Sequence, residues 1–221
     1  MTPSDLSASS LFAPFDPGGR WADLFEGVSH PWEVLGAHLR RHVAETVRPG
    51  ILGTVHAGAF IVGDDVEIGV GSVVEPGAYI QGPCILGENV SVRHGAYVRG
   101  HVLAGDGAVI GHATEVKGSV FLPGAKAGHF AYVGDSLLGR DVNLGAGTKL
   151  ANLRLAGDEV VIRCGSERLP TGLRKLGAIL GDGVQTGCNS VTNPGTILGP
   201  RCRVLPCAAV GGCHPADAVV G

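Results

Sequence analysis

The amino-acid sequence predicts an all-β parallel β-helix, in which short strands stack coil upon coil, and three observations support this fold class. An aliphatic residue or alanine occurs at every sixth position from Val62 to Leu122. A second series of mostly small or apolar residues lies two positions earlier, from Phe60 to Val120. The chain of 221 residues also contains 37 glycines, with 44% hydrophobic and 17% charged residues. Because neither a helix nor a long strand repeats every six residues, this fixed period indicates a solenoid.

Tight corners are predicted between the strands, because glycine, asparagine or aspartate recurs between the inward positions. The stretches VGDD, LGEN and AGDG show this pattern, and these residues tolerate the positive φ angles that tight corners require. The repeat loses phase between Leu122 and Leu138, and a second interruption precedes a last run from Leu180 to Val210. We expect this second interruption to form a loop that projects from the solenoid at about residues 155–176.

The first fifty residues precede the repeat and are rich in aromatic side chains. They contain Phe12, Phe15, Trp21, Phe25 and Trp32. Pro31 suits a first helical position, and apolar residues follow at helical spacing, which predicts a helix at about residues 31–45. Since the open end of a solenoid needs a cap, we expect residues 1–50 to cap the first coil of a β-helix that spans residues 51–221.

Composition argues against several classes of function. The net charge of −3 and the pI near 6.3 give no reason to expect nonspecific binding to nucleic acid or to an anionic membrane. The N-terminus lacks the pattern of a secretory signal, and no apolar run approaches about 18 residues, so we expect a cytoplasmic protein. The six cysteines form no CxxC pair. We expect reduced thiols, with Cys84 and Cys202 buried at small inward positions.

Two cations and two histidines recur with the spacing of one coil. Arg99 and Lys117 are separated by three of the six-residue repeats, so they are expected to stack on adjacent coils about 4.8 Å apart. Like charges at that spacing repel unless an anion such as phosphate lies between them, and the alternative is a solvated pair leaning apart. His94 and His112 have the same separation. A metal site is one interpretation, but exposed polar corner residues are more common, and we expect no metal.

A longer stretch, EVKGSVFLPGAKAGHFAYVGDSLLGRDVNLGAGTKLAN, carries more specific motifs. These are a lysine after a valine, KAGH, Y-x-GD, and V-N-x-G-A-G-T followed by an asparagine. The stretch resembles, without a gap, the C-terminal acetyltransferase domain of bacterial N-acetylglucosamine-1-phosphate uridyltransferase. The later TGLRKLGAILGDGVQTGCNSVTNPGT looks more like the C-terminal domains of archaeal-type sugar-1-phosphate nucleotidylyltransferases. These resemblances imply a left-handed solenoid of hexapeptide repeats and a homotrimer with active sites between its prisms.

The resemblance also implies roles for individual residues. It makes His129 the general base and gives Asn152 the task of orienting the substrate amine. The sugar phosphate would be held by Arg99, Lys117, Tyr132 and Asn143. Ala146 and Cys188 would meet acetyl coenzyme A, and Lys175 lies close to the place of a further substrate-binding lysine. An amino sugar is largely an ammonium ion at neutral pH, so a base with a pKa near 7 must remove its proton, and histidine suits that task.

The sequence therefore predicts a coenzyme A-dependent N-acyltransferase that acetylates an amino-sugar-1-phosphate or a nucleotide-linked amino sugar. Three positions depart from the family pattern, with Leu153 and Arg154 in place of a tyrosine and an acidic residue, and Cys188 in place of a serine. The alternative is a non-catalytic hexapeptide-repeat scaffold that binds a sugar nucleotide or a protein partner. A zinc-dependent carbonic anhydrase on the same solenoid is disfavoured, because the chain has no H-x4-H pair.

Overall fold

The computed structural model describes residues 3–15 and 20–221, without the side chains of residues 3 and 4. Within these residues the predicted fold class is confirmed, since the chain forms an all-β parallel β-helix preceded by short helices. Its strands are numbered β1 to β28 in chain order, and all of them except β19 and β20 stack in three long parallel sheets. Because consecutive strands belong to different sheets, each coil contributes one strand to each face of a three-sided prism.

The three sheets have the following strands, in stacking order. The first sheet contains β1 (Gly50–Ile51), β4 (Val66–Ile68), β7 (Cys84–Leu86), β10 (Val102–Ala104), β13 (Val120–Phe121), β16 (Leu137–Leu138), β21 (Ala178–Leu180), β24 (Thr196–Leu198) and β27 (Cys213–His214). The second contains β2 (Thr54–Val55), β5 (Val73–Val74), β8 (Ser91–Val92), β11 (Val109–His112), β14 (Lys126–His129), β17 (Asn143–Leu144), β22 (Gln185–Thr186), β25 (Arg203–Val204) and β28 (Val219–Val220). The third contains β3 (Phe60–Val62), β6 (Tyr79–Gln81), β9 (Tyr97–Arg99), β12 (Glu115–Lys117), β15 (Tyr132–Gly134), β18 (Lys149–Leu150), β23 (Val191–Thr192) and β26 (Ala209–Val210).

The interior of the prism is a narrow apolar core made by the predicted inward residues. Ile80 pairs with Val98, Val98 with Val116, and Val116 with Val133, so equivalent side chains stack directly from coil to coil. All four belong to one buried cluster that runs along the prism. The predicted corners are also confirmed, because Gly63, Asn89 and Gly107 in the quoted stretches have positive φ angles of 96°, 54° and 69°.

The six-residue phase slips by one residue at β13, where two predicted inward residues are wrong. Val120 pairs with Leu103, and Phe121 pairs with Ala104, so each partner is one residue closer in the chain than three full repeats would place it. Phe121 therefore enters the inner core. Val120 and Leu122, which we expected inside, are buried in a different cluster on the outside of the first sheet. The shortened coil, with one residue fewer, is the physical reason for the change.

A similar slip, in the opposite direction, affects the first coil. Ile61 pairs with Ile80, one residue further along the chain than three full repeats, and packs against the inner core. Phe60 and Val62, which we expected inside, are exposed instead. The six-residue pattern therefore identifies the inward residues correctly only between these two slips, and again beyond Leu138.

The segment before the solenoid packs along the outer side of the first sheet. It contains 3-10 helices at Pro3–Leu6 and Pro31–Val34, and the α-helices α1 (Ala8–Leu11), α2 (Arg20–Phe25) and α3 (Ala37–Thr46). The helix that we expected at residues 31–45 is divided at Gly36, which has a positive φ of 63°. None of the described helices has the length and apolar character needed to cross a bilayer.

The contacts of this segment differ from the expected cap over the first coil. Trp32 and Leu39 share one buried apolar cluster with Leu103 and Ile179, which project outward from the first sheet. Leu52, in the first coil, is exposed. Large apolar side chains on the outside of this sheet need a cover, and the helices provide it.

The interruption before β21 contains a hairpin. Its strands β19 (Val161–Cys164) and β20 (Glu167–Pro170) pair antiparallel. Val160 and Ile162 are buried in the same outer apolar cluster as the helices. The solenoid then resumes in phase, because Leu137 pairs with Ile179. The expected domain boundary at residue 50 and the loop limits of 155–176 stay predictions.

Candidate functional site

Arg99 and Lys117 lie on adjacent coils of the third sheet, as their spacing predicted. Their preceding residues, Val98 and Val116, are direct register partners. The expected unpaired repulsion is absent, because each cation has its own carboxylate. The Nη1 of Arg99 lies 2.6 Å from the Oε1 of Glu115, and the resulting hydrogen bond raises the pKa of the Arg99 guanidinium. The two cations are therefore not a solvated pair leaning apart, and their binding of a phosphate stays a prediction.

Lys117 is paired with Asp135, the aspartate of the Y-x-GD motif, to which the sequence analysis gave no role. The Nζ of Lys117 lies 2.7 Å from the Oδ2 of Asp135, whose side chain is only 7% exposed. Asp135 follows Lys117 by three six-residue repeats and lies next to Gly134, the register partner of Lys117; its backbone N–H donates to the Lys117 carbonyl at 2.9 Å. The spacing that linked Arg99 to Lys117 could thus have identified Asp135 as well.

Asn152 completes a polar network around the same carboxylate. Its Nδ2 donates a short hydrogen bond to Asp135, and its Oδ1 lies 3.4 Å from the hydroxyl of Tyr132. Burial raises the pKa of Tyr132, and the nearby carboxylates of Asp135 and Glu115 raise it further. The Tyr132 hydroxyl therefore stays protonated and can donate hydrogen bonds over the physiological pH range.

Lys175 reaches the same corner of the prism from the far side of the insertion. It forms an isolated antiparallel bridge with Leu153, the residue after Asn152. The backbone N–H of Leu176 donates to the Asn152 carbonyl at 3.0 Å. Lys175 itself is exposed. The chain on both sides of the insertion is thus held together beside Asn152.

His129 lies at a different corner, where the second sheet turns into the third. It ends β14, is exposed, and pairs in register with His112. The next residue, Phe130, has a positive φ of 53°, and the backbone N–H of Gly147 donates to the His129 carbonyl at 2.9 Å. Within the described residues, no side-chain hydrogen bond of His129 limits access to its ring.

The other histidines of this corner form a stacked pair. The rings of His94 and His112 are 5.5 Å apart and nearly parallel. The Nδ1 of His94 lies 2.6 Å from the Pro76 carbonyl, and the Nδ1 of His112 lies 2.8 Å from the His94 carbonyl. A carbonyl oxygen can only accept, so both Nδ1 atoms carry the proton. These contacts agree with the interpretation of polar corner residues.

Ala146 and Cys188 continue the column of His129 along the prism. Lys126 pairs with Asn143, which brings Ala146 one coil beyond His129. The backbone N–H of Asn189 donates to the Ala146 carbonyl at 2.8 Å, which places Cys188 one coil further. Cys188 is exposed.

The predicted residues therefore form two groups in a single chain. One group contains Arg99, Lys117, Asn152 and Lys175, on or beside the third sheet near its corner with the first, and the hydroxyl of Tyr132, which begins β15 and reaches Asn152. His129, Ala146 and Cys188 form the column at the other end of that sheet. Asn143 is exposed on the second sheet, at the start of β17. No hydrogen bond within the described chain connects His129 to Asn152 or Lys117, so the geometry of one chain does not bring the whole predicted set together.

A groove lies next to the Asn152 corner. It has a volume of about 780 Å³ and runs between the β19 strand and the last coils. Ala151, Leu153 and Arg163 line it, together with glycines of the later corners. Leu153, one of the departures from the family pattern, thus contributes an apolar wall where that pattern has tyrosine. His129 does not line the groove.

Known proteins are similar to the part of the chain that contains these residues. The family model described as the GMPPB C-terminal domain matches residues 80–166. A bifunctional sugar-1-phosphate nucleotidylyltransferase/acetyltransferase of Sulfurisphaera tokodaii is 46% identical over 92 residues, which cover 42% of this chain and 23% of that protein. The bifunctional protein GlmU of Methanococcus vannielii is 31% identical over 222 residues, which cover 90% of this chain and 48% of that protein.

The resemblance predicted from the motifs is confirmed by these relatives. The GlmU protein of Methanocaldococcus jannaschii is 33% identical and is matched over 84% of this chain and 44% of its own length. This chain therefore spans less than half of the length of these curated relatives. Among solved structures, a UDP-N-acetylglucosamine acyltransferase of Francisella novicida is similar with a TM-score of 0.49 and 16% identity, covering 75% of this chain and 66% of that chain.

Proposed function

We propose that this protein is a coenzyme A-dependent N-acyltransferase that acetylates the amine of an amino-sugar-1-phosphate or a nucleotide-linked amino sugar. The observation that carries the proposal is the column of His129, Ala146 and Cys188 on successive coils. The column supports the proposal, because it brings an accessible imidazole near the two residues that the resemblance implies for acetyl coenzyme A. The names of the curated relatives, which include acetyltransferase and GlmU, support the same reaction class.

The reaction follows from the chemistry of a thioester and an amine. The amine nitrogen attacks the acetyl carbonyl, the new C–N bond forms, and the C–S bond to coenzyme A breaks. His129 removes a proton from the amine as the nitrogen attacks and returns it to the departing thiolate, which leaves as free coenzyme A. His129 is neutral again at the end of the cycle.

The two cations have different roles in binding the sugar phosphate. The Arg99–Glu115 pair is exposed, with side-chain exposures of 41% and 36%, and such a surface pair contributes about 0–1 kcal/mol. Arg99 can therefore exchange Glu115 for a phosphate at little cost. Lys117 is held by the buried Asp135, and its remaining N–H donors can bind the phosphate without the side chain leaving its position.

We infer that a homotrimer completes the site, with residues from two copies meeting between adjacent prisms. The helical segment covers the first sheet, which leaves the second and third sheets for contact with neighbours. A closed ring of three copies would bring the His129 corner of one chain near the Asn152 corner of the next. Light scattering measures the number of copies directly.

Mixing two inactive variants tests the shared site. His129→Ala and Lys117→Met each remove one group, so mixed oligomers formed by refolding the two together should regain part of the activity. Sites built within a single chain would regain none. Either variant alone, taken through the same refolding, is the control.

The proposed reaction is tested by release of free coenzyme A from acetyl coenzyme A. Glucosamine-1-phosphate, galactosamine-1-phosphate and a UDP-linked amino sugar serve as acceptors, and His94→Ala is the matched control two coils away. Loss of a general base should lower turnover about 100- to 10,000-fold in His129→Ala, with little change in His94→Ala. Equal activity of the two variants would contradict the assignment of the base.

A non-catalytic scaffold is the second candidate, and the departures at Leu153, Arg154 and Cys188 favour it. Such a protein would bind a sugar nucleotide without releasing thiol from acetyl coenzyme A. Calorimetric binding of the same acceptors, measured without a donor, separates this outcome from a protein that recognises none of them. The cytoplasmic location and the absence of a metal stay predictions.

A further inference from the structure

We propose that Asp135 is a positioning residue that holds the Asn152 amide with its carbonyl oxygen towards the substrate amine. The inference rests on the proposed function and adds to it a role for Asp135, to which neither the motifs nor the comparisons assign one. It concerns the direction of one amide group, and therefore how the nucleophile is oriented before it attacks.

Asp135 is fixed more firmly than a surface carboxylate. The residue is 5% exposed and has a positive φ of 45°. Its N–H donates to the Lys117 carbonyl at 2.9 Å, and its own carbonyl accepts from the N–H of Gly177 at 2.8 Å. The coils on both sides thus hold its backbone, and the side chain has little freedom to follow a moving partner.

The direction of the Asn152 amide follows from the chemistry of the carboxylate. An ionised carboxylate can only accept hydrogen bonds, so the Asn152 group that faces Asp135 must be the NH2. The Oδ1 of Asn152 then faces the Tyr132 hydroxyl, at 3.4 Å. Asn152 is 8% exposed, so the amide has few other partners with which to exchange.

An acceptor in this position suits an amine substrate. The attacking nitrogen carries N–H donors, and an amide oxygen can accept one of them while the lone pair is directed elsewhere. A flipped amide would present its NH2 to these N–H donors and its oxygen to Asp135. The buried Asp135 carboxylate would then lose the hydrogen bond from Asn152, which is costly. Asp135 therefore selects the productive one of two nearly isosteric orientations.

Because Lys117 balances the charge of Asp135, the effect of Asp135 is to orient the Asn152 amide and not to add negative charge near the substrate. The ammonium of Lys117 lies 2.7 Å from the Asp135 carboxylate, so the buried pair is close to neutral. An unbalanced carboxylate would favour the ammonium form of the substrate and oppose its deprotonation. The pair keeps the hydrogen-bond acceptor for Asn152 while it avoids that effect.

The test measures binding of two ligands that differ only in the amine. Asp135→Asn allows both amide orientations, so the affinity for glucosamine-1-phosphate should fall about 10-fold or more, as expected for a lost hydrogen bond to a charged group. The affinity for glucose-1-phosphate, which has a hydroxyl in place of the amine, should change less than about 2-fold. Asp217→Asn, which removes an exposed carboxylate paired with Arg201, should leave both affinities unchanged.

A reciprocal exchange protects the test from a variant that merely folds poorly. In Asp135→Asn combined with Asn152→Asp, the new amide can donate to the new carboxylate, and an acceptor oxygen again faces the substrate. Affinity for glucosamine-1-phosphate should recover about 10-fold over the single Asp135→Asn variant. No recovery in a folded double variant, or an equal loss for both sugars in the single variant, would overturn the inference. Failure of the wild-type protein to bind either sugar would instead count against the proposed function.

Discussion

The Nζ of Lys117 and the Oδ2 of Asp135 form a 2.7 Å ion pair in which the side chains are only 20% and 7% exposed. Breaking a buried pair by removing one partner leaves an uncompensated charge and costs about 3–5 kcal/mol. We therefore expect Lys117→Met to lower the free energy of unfolding by an amount near the lower end of that range, because Lys117 keeps some contact with water. Urea denaturation monitored by circular dichroism measures the change.

Arg99→Met is the matched comparison on the adjacent coil. Its exposed pair with Glu115 should contribute less than about 1 kcal/mol to the free energy of unfolding. A similar loss in both variants would show that burial of Asp135 does not control the stability of this corner. The comparison needs no substrate and so stands apart from any assignment of function.

Phe121 should be the most sensitive aromatic position of the inner core. It is fully buried between Ala104 and Leu138 in the stack of coils. Phe121→Ala should lower the free energy of unfolding by about 3–5 kcal/mol, because the rigid coils cannot close the cavity. Phe60→Ala makes the same chemical change at an exposed position and should cost less than about 0.5 kcal/mol. Equal costs would place Phe121 outside the core.

Stability should fall as the pH is lowered below neutral, and His42 is one cause. Burial lowers the pKa of His42, with a further contribution from the nearby His38, and its Nε2 is buried without a hydrogen-bond partner among the described residues. In the unfolded chain this histidine has the ordinary pKa of about 6.5 and binds a proton more readily than in the folded protein. The contribution of neutral His42 to the free energy of unfolding is therefore fully present above that pH and decreases below it. Asp23 and Glu45 nearby oppose the shift only partly.

Thermal unfolding between pH 5 and pH 8 tests this expectation. The melting temperature of His42→Leu should depend less on pH than that of the wild-type protein. His56→Leu changes an exposed histidine and should retain the wild-type dependence. If the pH dependence of the melting temperature decreases equally in both variants, it arises from the general charge of the protein and not from His42.

Asp182 should hold the N-terminal helices on the first sheet. Its Oδ2 accepts from the N–H of Ala13 at 2.8 Å, and its own N–H donates to the Leu11 carbonyl at 3.0 Å. Asp182→Ala should speed amide hydrogen exchange around Ala13 about 10-fold, since a hydrogen bond of roughly 1.5 kcal/mol is lost locally. Asp217→Ala removes an exposed carboxylate that pairs with Arg201 and makes no contact with Ala13 in the described chain, so it should leave exchange unchanged. Unaffected exchange in both variants would exclude this anchor.

Sequence periodicity predicted the coils and most inward residues, and its two errors have one physical cause. At Phe60–Ile61–Val62 and at Val120–Phe121–Leu122, three large apolar residues follow one another. Such a triplet fits either face of a strand, so its phase depends on whether a corner contains one residue more or fewer. The register between neighbouring coils resolves this ambiguity, but this register cannot be read from a single sequence.

The candidate site was predictable in part. The spacing of Arg99 and Lys117 correctly placed them on adjacent coils, but it did not show that each cation pairs with a carboxylate, Glu115 and Asp135 respectively. The spacing of residues in the sequence gives their position along the prism, but it does not show which carboxylate pairs with each cation. The packing of the helical segment on the first sheet was also missed, because it depends on outward residues that the inward pattern ignores.

The insertion before β21 leaves the stack undisturbed because it departs from a corner and returns to the same corner. Leu137 still pairs with Ile179, although the whole β19–β20 hairpin lies between them in the chain. Losing six residues from any coil would instead move every later strand to a different sheet and split the column of His129, Ala146 and Cys188. Changes in length are therefore tolerated as corner excursions, as single residues at a corner or as whole coils, whereas loss of a whole strand and corner is incompatible with keeping these side chains aligned. Evolution of this chain can add or remove material in large units while the axial distances between its functional groups stay constant.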